Sequence, residues 1–327
     1  MNNFPDRLQC INTLYDGQRC TGLLSVQENN RISCMTCDRH YPIVDGVPVI
    51  KNNISEDLDL FLSDKVYKNK SRIRSLNGED LYFEQSQVLW NYLPEFVNNY
   101  KVNGPSLEIG CGLGIFAERV PQFVGLDYSI DALLAEGFEC FERVCASGEL
   151  IPFSDETYEL IFSLNTLEHV PLLDHSLKEI DRVLKPGGFL ILKPAWNCMQ
   201  YNCDGVPYLP FRQLSLKNRI IKLLLPILTT KVYKAVRRVP SRIFSEYLYK
   251  EGLKLRWTRL KPRFDLMGKV ADAEAFAQID VYECIRWFTA LGYQCISHPT
   301  MFKRVTSGHD IVCLKKPFTD NTNFNFL

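Results

Sequence analysis

No apolar run in this 327-residue chain is long enough to span a membrane. The longest, IIKLLLPIL at 220–228, is broken by Lys222 and Pro226. The opening residues, MNNFPDRLQC, lack the basic stretch and apolar segment of a secretory leader. A reducing, cytoplasmic setting is therefore expected, in which the twelve cysteines are read as metal ligands or packing residues before disulfides. Internal repeats are also lacking. Net charge is absent too, since 38 Lys and Arg balance 38 Asp and Glu. That balance hides a partition: residues 211–263 hold 15 basic residues against Glu246 and Glu251, a net +13, which leaves −13 on the remainder. What is present is an ordinary globular composition, with 46% apolar and 23% charged residues.

Residues 8–50 read as short strands and turns, ending in YPIVDGVPVI, two β-like pieces around Asp45–Gly46. Residues 51–104 read as helical, with Leu81, Val88, Leu89, Tyr92 and Leu93 near helical spacing, and Asn103–Gly104–Pro105 as the stop. From Ser106 strands and helices alternate: SLEIG, FVGLD, FERVCAS, YELIFSLN and GFLILKP as strands, with IFAERV, IDALLAEGF and LLDHSLKEIDRVL as helices. Such alternation implies parallel βαβ units in a doubly wound sheet whose strand ends share one ligand-binding rim. The rhythm lapses near 196–280, read as an insertion. It returns with the helix VYECIRWFTALG and two closing strands, read as a hairpin. The tail at 319–327 is expected to fray.

The first strand of that series runs into LEIGCGLG at 107–114. Glycines there let the backbone turn sharply and approach a ligand, and a helix starting near Leu113 would offer free N–H groups to an anion. Three ligands compete. A nucleoside triphosphate loop needs Gly-Lys-Ser/Thr, whereas Ile115 and Phe116 follow Gly114, which excludes it. A dinucleotide loop is met by Gly112, Gly114 and Ala117, but its acid is expected about 20 residues on, and Asp127 comes at fifteen. S-adenosylmethionine, with an amine, a carboxylate and a ribose diol, gives Glu108, the loop amides and Asp127 one partner each.

LEIGCGLG, VGLDYS, LIPFSDETYELIFSLNTLEHV and RVLKPGGFLILKP together resemble, in order, the motifs of class I S-adenosylmethionine-dependent methyltransferases of the type 11 group. The resemblance covers residues 105–194. It implies a Rossmann-like doubly wound α/β fold with a seven-stranded mixed sheet over 105–318. It makes Glu108, Gly110, Cys111, Gly112 and Gly114 the methionine-binding loop, Asp127 the ribose acid and Tyr128 an adenine neighbour. Ser147 and Gly148 fall where adenine is gripped, with Ser147 standing where the family usually has Asp. Asn165 falls at the mouth where the methyl group points.

Methyl transfer is a direct displacement, and a base is added when the nucleophile carries a proton. His169 is the candidate base, with Glu168 to orient it; the alternative is that LEHV is structural. His298 and His309 are further candidates. The absence of an Asn-Pro-Pro-Tyr-like stretch after Leu164 argues against methylation of exocyclic base amines.

Cys34-x-x-Cys37 is a metal knuckle, joined by the more widely spaced Cys10 and Cys20, and a structural Zn2+ on four cysteines is expected. His40 could substitute for Cys10 or Cys20. ISCMTCDRHYPIVDGVPVI resembles zinc-ribbon modules that accompany methyltransferases, giving a small zinc-ribbon domain at 1–52 before a helical linker at 53–104. Cys111, Cys140, Cys145, Cys198, Cys203, Cys284, Cys295 and Cys313 are read as packing residues.

The basic block at 211–263 has three readings. It could lie on an anionic membrane, hold RNA with Tyr233, Tyr247, Tyr249 and Trp257 stacking, or cover the site with its apolar face while showing a solvated basic one. Its dense aliphatic residues favour a small-molecule, sugar or lipid-linked acceptor and a membrane-peripheral position. An RNA methyltransferase is the alternative, and a non-catalytic cofactor-binding scaffold the third.

Overall fold

The computed structural model describes residues 7–13, 18–27, 31–51, 81–134, 141–248, 255–266, 270 and 272–318. The helix expected over 52–80, the end of IDALLAEGF, Cys140, Tyr249 and the tail lie outside the described residues. The chain divides into two compact units, Met1–Leu164 with Asp174–Phe189, and Asn165–Leu173 with Leu190–Leu327.

The first unit begins with four short antiparallel strands, β1 (Leu24–Gln27), β2 (Arg31–Cys34), β3 (His40–Val44) and β4 (Val47–Ile50). β3 and β4 are joined by Asp45 and Gly46 at φ of 46° and 80°, the left-handed pair that a tight hairpin demands. β4 then pairs in parallel with a strand nearly a hundred residues on, β7 (Glu142–Ala146), through Val49 with Cys145 and Ile50 with Ala146. The N-terminal strands therefore extend the main sheet.

Between them come helix α1 (Leu81–Tyr100), β5 (Ser106–Ile109), β6 (Phe123–Asp127) and the one-turn α2 (Ile130–Leu133). After β7 come β8 (Tyr158–Leu164), α3 (Leu173–Val183) and β9 (Leu184–Lys193). Sheet order in this unit is β1-β2-β3-β4-β7-β6-β5-β8-β9; β1 to β4 come from residues before 105 and add to the strands expected of 105–318. β5 is flanked in parallel by β6 and β8, and all four of its side chains are buried, the polar Ser106 and the acidic Glu108 included. α1 turns Leu89, Leu93 and Phe96 inward, an i, i+4, i+7 stripe, while Val88 is 53% exposed. Leu89 and Leu93 of the expected stripe are therefore buried, whereas Val88 faces outward. Phe96 meets Phe189 edge-on at 5.2 Å and Arg119 stacks on Trp90 at 3.7 Å. Glu179 of α3 binds Arg19 at 2.6 Å and Arg182 at 2.8 Å, tying the N-terminal strands to the sheet.

IFAERV does not form a helix. Residues 112–119 are a succession of hydrogen-bonded turns. Gly110, Gly112 and Gly114 sit at φ of 73°, 52° and 69°, and left-handed residues at every second position cannot propagate a right-handed helix. No helix dipole stands at Leu113.

The second unit contains a 3-10 turn at Leu167–His169, the end of β9, α4 (Gln200–Cys203), α5 (Leu216–Leu228) and α6 (Lys231–Leu248). The two-residue strands β10 (Thr258–Arg259) and β11 (Ala277–Gln278) follow. α7 (Val281–Ala290), β12 (Gln294–Cys295), α8 (Met301–Thr306) and β13 (Val312–Lys315) complete it. β12 and β13 are antiparallel, in the order β9-β13-β12, but α8 intervenes, so they are not a simple hairpin. α5 is turned inside out. Asn218 bonds Asp204 at 3.1 Å, and Lys222 reaches the carbonyls of Val206 and Leu209 at 3.0 and 2.7 Å. Leu216, Ile220, Leu223, Leu224 and Ile227 are exposed among the described residues. The reading in which this helix buries its apolar face therefore does not hold.

Candidate active site and candidate metal centre

The carboxyl ends of β5, β6 and β7 meet on one rim. The register pairs Glu108 with Gly125 and Asp127 with Cys145, so Glu108, Asp127 and Ser147 each stand at or just beyond the last turns of adjacent strands. The glycine turn is pinned there by the N–H groups of Gly110 and Cys111, which donate to the Leu126 carbonyl at 2.7 and 3.0 Å. Asp127 closes it. Its two carboxylate oxygens accept from the N–H of Gly112 and of Ser129, each at 2.8 Å. Burial raises its pKa, opposed by those N–H groups and by Lys51.

Glu108 is 2% exposed and its Oε2 has no hydrogen-bond partner among the described residues. Burial, then the charge of Asp127, push its pKa well above the usual carboxylate range. An unpartnered buried carboxylate costs free energy that a native fold does not normally tolerate. A cationic group placed against it relieves both the desolvation and the repulsion from Asp127. The residues therefore fit a ligand with a positively charged end, such as the amine and sulfonium of S-adenosylmethionine.

Ser147 and Gly148 form a turn in which Ser147 Oγ accepts from the Glu149 N–H at 3.2 Å. Glu149 is 3% exposed and was not anticipated. Nor was Lys51. Its Nζ lies 4.0 Å from the Tyr128 ring centroid and its charge lowers the pKa of Asp127. The strand VPVI is legible in the sequence, but only the β4–β7 pairing brings the residue after it to this rim. Cys111 is buried against the turn, and burial raises its thiol pKa well above normal.

Gly114 has a packing role as well. A Cβ there would run into the Phe141 ring, and its φ of 69° disfavours any side chain. Gly114→Ala is expected to destabilise the protein by about 2–5 kcal/mol, combining left-handed strain with overpacking. Denaturant unfolding measures this, and Phe141→Ala added to Gly114→Ala should return part of the loss. Equal stability of Gly114→Ala and wild type would contradict this packing.

Asn165, Glu168 and His169 belong to the second unit. Asn165 is left-handed at φ 47°, and its N–H donates to the Lys193 carbonyl at 3.0 Å. His169 Nε2 lies 3.7 Å from Glu168 Oε1; the His169 side chain is 31% exposed, and its Nδ1 has no hydrogen-bond partner among the described residues. Burial raises the pKa of both Glu168 and Asp272, and His169 opposes each shift. Asp272 was not foreseen, since it lies over a hundred residues away in sequence. His298 is held on both sides, by Ser297 Oγ at 2.8 Å and Asp310 at 3.5 Å, which suits a structural role.

The four N-terminal cysteines converge. The sulfurs of Cys10, Cys20, Cys34 and Cys37 all lie within 4.8 Å of one another. Cys10 and Cys37 are 3.6 Å apart, as are Cys20 and Cys34. The edge of a tetrahedron with metal–sulfur bonds of ~2.3 Å is about 3.8 Å. Backbone N–H groups of Thr36 and Asn12 point at Cys34 and Cys10 at 3.3 and 3.4 Å, the outer hydrogen bonding that thiolates need. Burial pushes the Cys10 thiol up to about 12. His40 is exposed and lies 3.8 Å from Asp38, so it does not enter the cluster.

Residues 107–192 match the family model described as "Methyltransferase domain". An uncharacterised protein of Methanocaldococcus jannaschii is 36% identical over 116 residues, 35% of this chain and 49% of the relative. The sterol 4-C-methyltransferase of Caenorhabditis elegans is 31% identical over 111 residues, 30% of this chain and 33% of the relative. The demethylmenaquinone methyltransferase of Bacillus subtilis is 28% identical over 142 residues, 39% of this chain and 59% of the relative. The chain thus spans about half the length, or less, of several curated relatives it matches. The stretch holding the glycine turn, Asp127, the Ser147 turn and His169 is therefore similar to the methyltransferase domain family.

Proposed function

We propose that this chain is an S-adenosylmethionine-dependent methyltransferase with a structural zinc, acting on a small-molecule, sugar or lipid-linked acceptor. The observation that carries the reading is Glu108, a buried carboxylate with an unpartnered oxygen beside a glycine turn that Asp127 holds closed, inside a segment matching a methyltransferase domain. Glu108 would hold the cationic end of the cofactor. Loop amides would face its carboxylate, Asp127 and the Ser147 turn its nucleoside. When bound, the cofactor supplies the methyl group on its sulfonium. His169, with Nδ1 unbonded among the described residues, would take the proton from an acceptor that carries one.

The outward apolar face of α5 supports an apolar or membrane-associated acceptor over RNA. Contiguous exposed apolar surface marks interaction sites, and the basic residues around it would face anionic headgroups. Among the described residues no helix is long and apolar enough to cross a membrane, so contact would be interfacial.

The test is transfer of labelled methyl groups to cell extract fractionated into lipid, glycan, small molecules and RNA. Label is expected in the lipid or glycan fraction. Label confined to RNA replaces the acceptor class, and cofactor binding without any transfer leaves a scaffold.

A further inference from the structure

A cavity of about 280 Å3 in the second unit is lined by four arginines: Arg237, Arg238, Arg242 and Arg256. Two carboxylates, Asp280 and Glu283, share the wall, but both are already engaged. Asp280 grips Arg242 at two points, 3.1 and 2.7 Å, and caps α7 through the N–H groups of Tyr282 and Glu283. Glu283 binds Arg286 at 2.9 Å and accepts from Ser245 Oγ at 3.1 Å. Arg242 is saturated in turn, its Nη1 donating to the carbonyls of Val305 and Ser307 at 2.7 and 2.8 Å.

Arg237 and Arg238 stand differently. Among the described residues Arg237 reaches only the Met199 sulfur, at 4.0 Å, and Arg238 has no ion pair. Burial makes Arg238 less basic than an ordinary arginine; Asp280 opposes the shift, and Arg242 and Arg237 add to it. The same positive field reaches His309, whose pKa is lowered by burial and by Arg238, Lys234 and Lys193. Lys234, Arg237, Arg238, Ser241 and Arg242 recur along one face of α6.

Asn197 is an independent pointer. It lines the same cavity and is 7% exposed, and its Nδ2 is buried with no partner among the described residues. Two guanidinium forks and one orphaned amide donor, with the carboxylates already paired, call for a ligand with several acceptor oxygens and more than one negative charge. A carboxylate would leave donors unsatisfied, whereas a phosphate has three acceptor oxygens and up to two charges. Asn197 also follows Lys193, whose carbonyl holds the Asn165 N–H, so the cavity lies close in sequence and bonding to the Asn165 turn.

We propose that this cavity holds a phosphate group of the acceptor, so that the substrate is a phosphorylated or phosphate-linked molecule. The substrate part rests on the methyltransferase reading; the anion site does not. Its phosphate could belong to a soluble phosphometabolite or to a lipid, and the outward apolar face of α5 suits the second.

The test is calorimetry of the full chain with inorganic pyrophosphate at low salt, alongside a separate titration with S-adenosylmethionine. Wild type should bind pyrophosphate saturably, R237Q/R238Q at least tenfold more weakly, and both should bind S-adenosylmethionine alike. No binding by wild type, or equal binding by the variant, overturns the site. Phosphatase treatment of the acceptor fraction should remove labelled-methyl transfer; undiminished transfer overturns the substrate assignment. If S-adenosylmethionine does not bind wild type, the methyltransferase reading fails while pyrophosphate still decides the anion site. Vesicles of phosphatidylcholine with phosphatidic acid separate the sources. Retention of wild type above R237Q/R238Q supports a lipid phosphate, and equal retention supports a soluble one. Nucleic acid held by wild type and released from R237Q/R238Q overturns the proposal in favour of an RNA backbone.

Discussion

Glu108→Gln is expected to weaken S-adenosylmethionine binding by about tenfold to 150-fold while raising the melting temperature of the ligand-free protein. The first effect follows from losing a charge-assisted hydrogen bond worth about 1.5–3 kcal/mol. The second follows from what the carboxylate does when no ligand is there. It is buried, one oxygen is unpartnered, and Asp127 repels it. Its folded-state pKa lies well above the ordinary 4.5, through burial and then Asp127. The folded state therefore holds the Glu108 proton to higher pH than the unfolded chain does. The associated stability is complete below about pH 4.5 and is lost as pH rises through the folded-state pKa. Ligand-free wild type should accordingly melt lower at pH 8 than at pH 6. Glutamine cannot ionise, so part of that slope should vanish; Asp127, also raised by burial, keeps the rest. Each kcal/mol recovered corresponds to roughly 2–4 °C for a domain of 150–250 residues, and to less if the whole chain melts as one unit. Calorimetry at the two pH values checks both effects. Unchanged cofactor affinity in Glu108→Gln would remove Glu108 from the site.

Wild type is also expected to carry one zinc per chain, and Cys34→Ser with Cys37→Ser to carry none and to melt at least ~10 °C lower. Structural zinc sites supply about 10–16 kcal/mol in small zinc-finger peptides, which sets the upper scale here. The module needs such a staple. β1 to β3 are four or five residues each, with Leu24, Ile32 and Tyr41 as their main buried side chains, too little core for independent stability. Metal analysis and thermal unfolding with and without a chelator provide the measurement. Metal retained by the double variant, or a metal-free wild type whose melting ignores chelator, would count against the centre.

The strands and their rim were legible because their signals are local. SLEI and FVGLD read as buried strands and are β5 and β6. The four cysteines were legible as a candidate cluster because the Cys34-x-x-Cys37 knuckle is a local spacing, and their sulfurs do converge. The helix expected after Gly114 was not realised, because IFAERV has helical composition but three left-handed glycines precede it and a tertiary ring, Phe141, fills the space beside Gly114. Lys51 and Asp272 were invisible for a different reason. Each reaches its partners through long-range pairing, β4 on β7 and a chain return over a hundred residues later, which leaves no spacing to read. The inverted face of α5 was missed because periodicity shows that a helix has two faces without showing which faces solvent.

The pairing of Ile50 with Ala146 has one more implication. Ala146 directly precedes Ser147, and Lys51, directly after Ile50, stacks on Tyr128. The strands that carry the cysteine cluster are thus joined through β4 to the part of the rim formed by Asp127, Tyr128 and Ser147. Free-energy coupling between two sites is reciprocal. If metal occupancy orders β4, then cofactor bound at the rim must hold the metal more tightly by the same factor. The N-terminal strands would then report metal status to the rim, and removing zinc would weaken cofactor binding by that same factor.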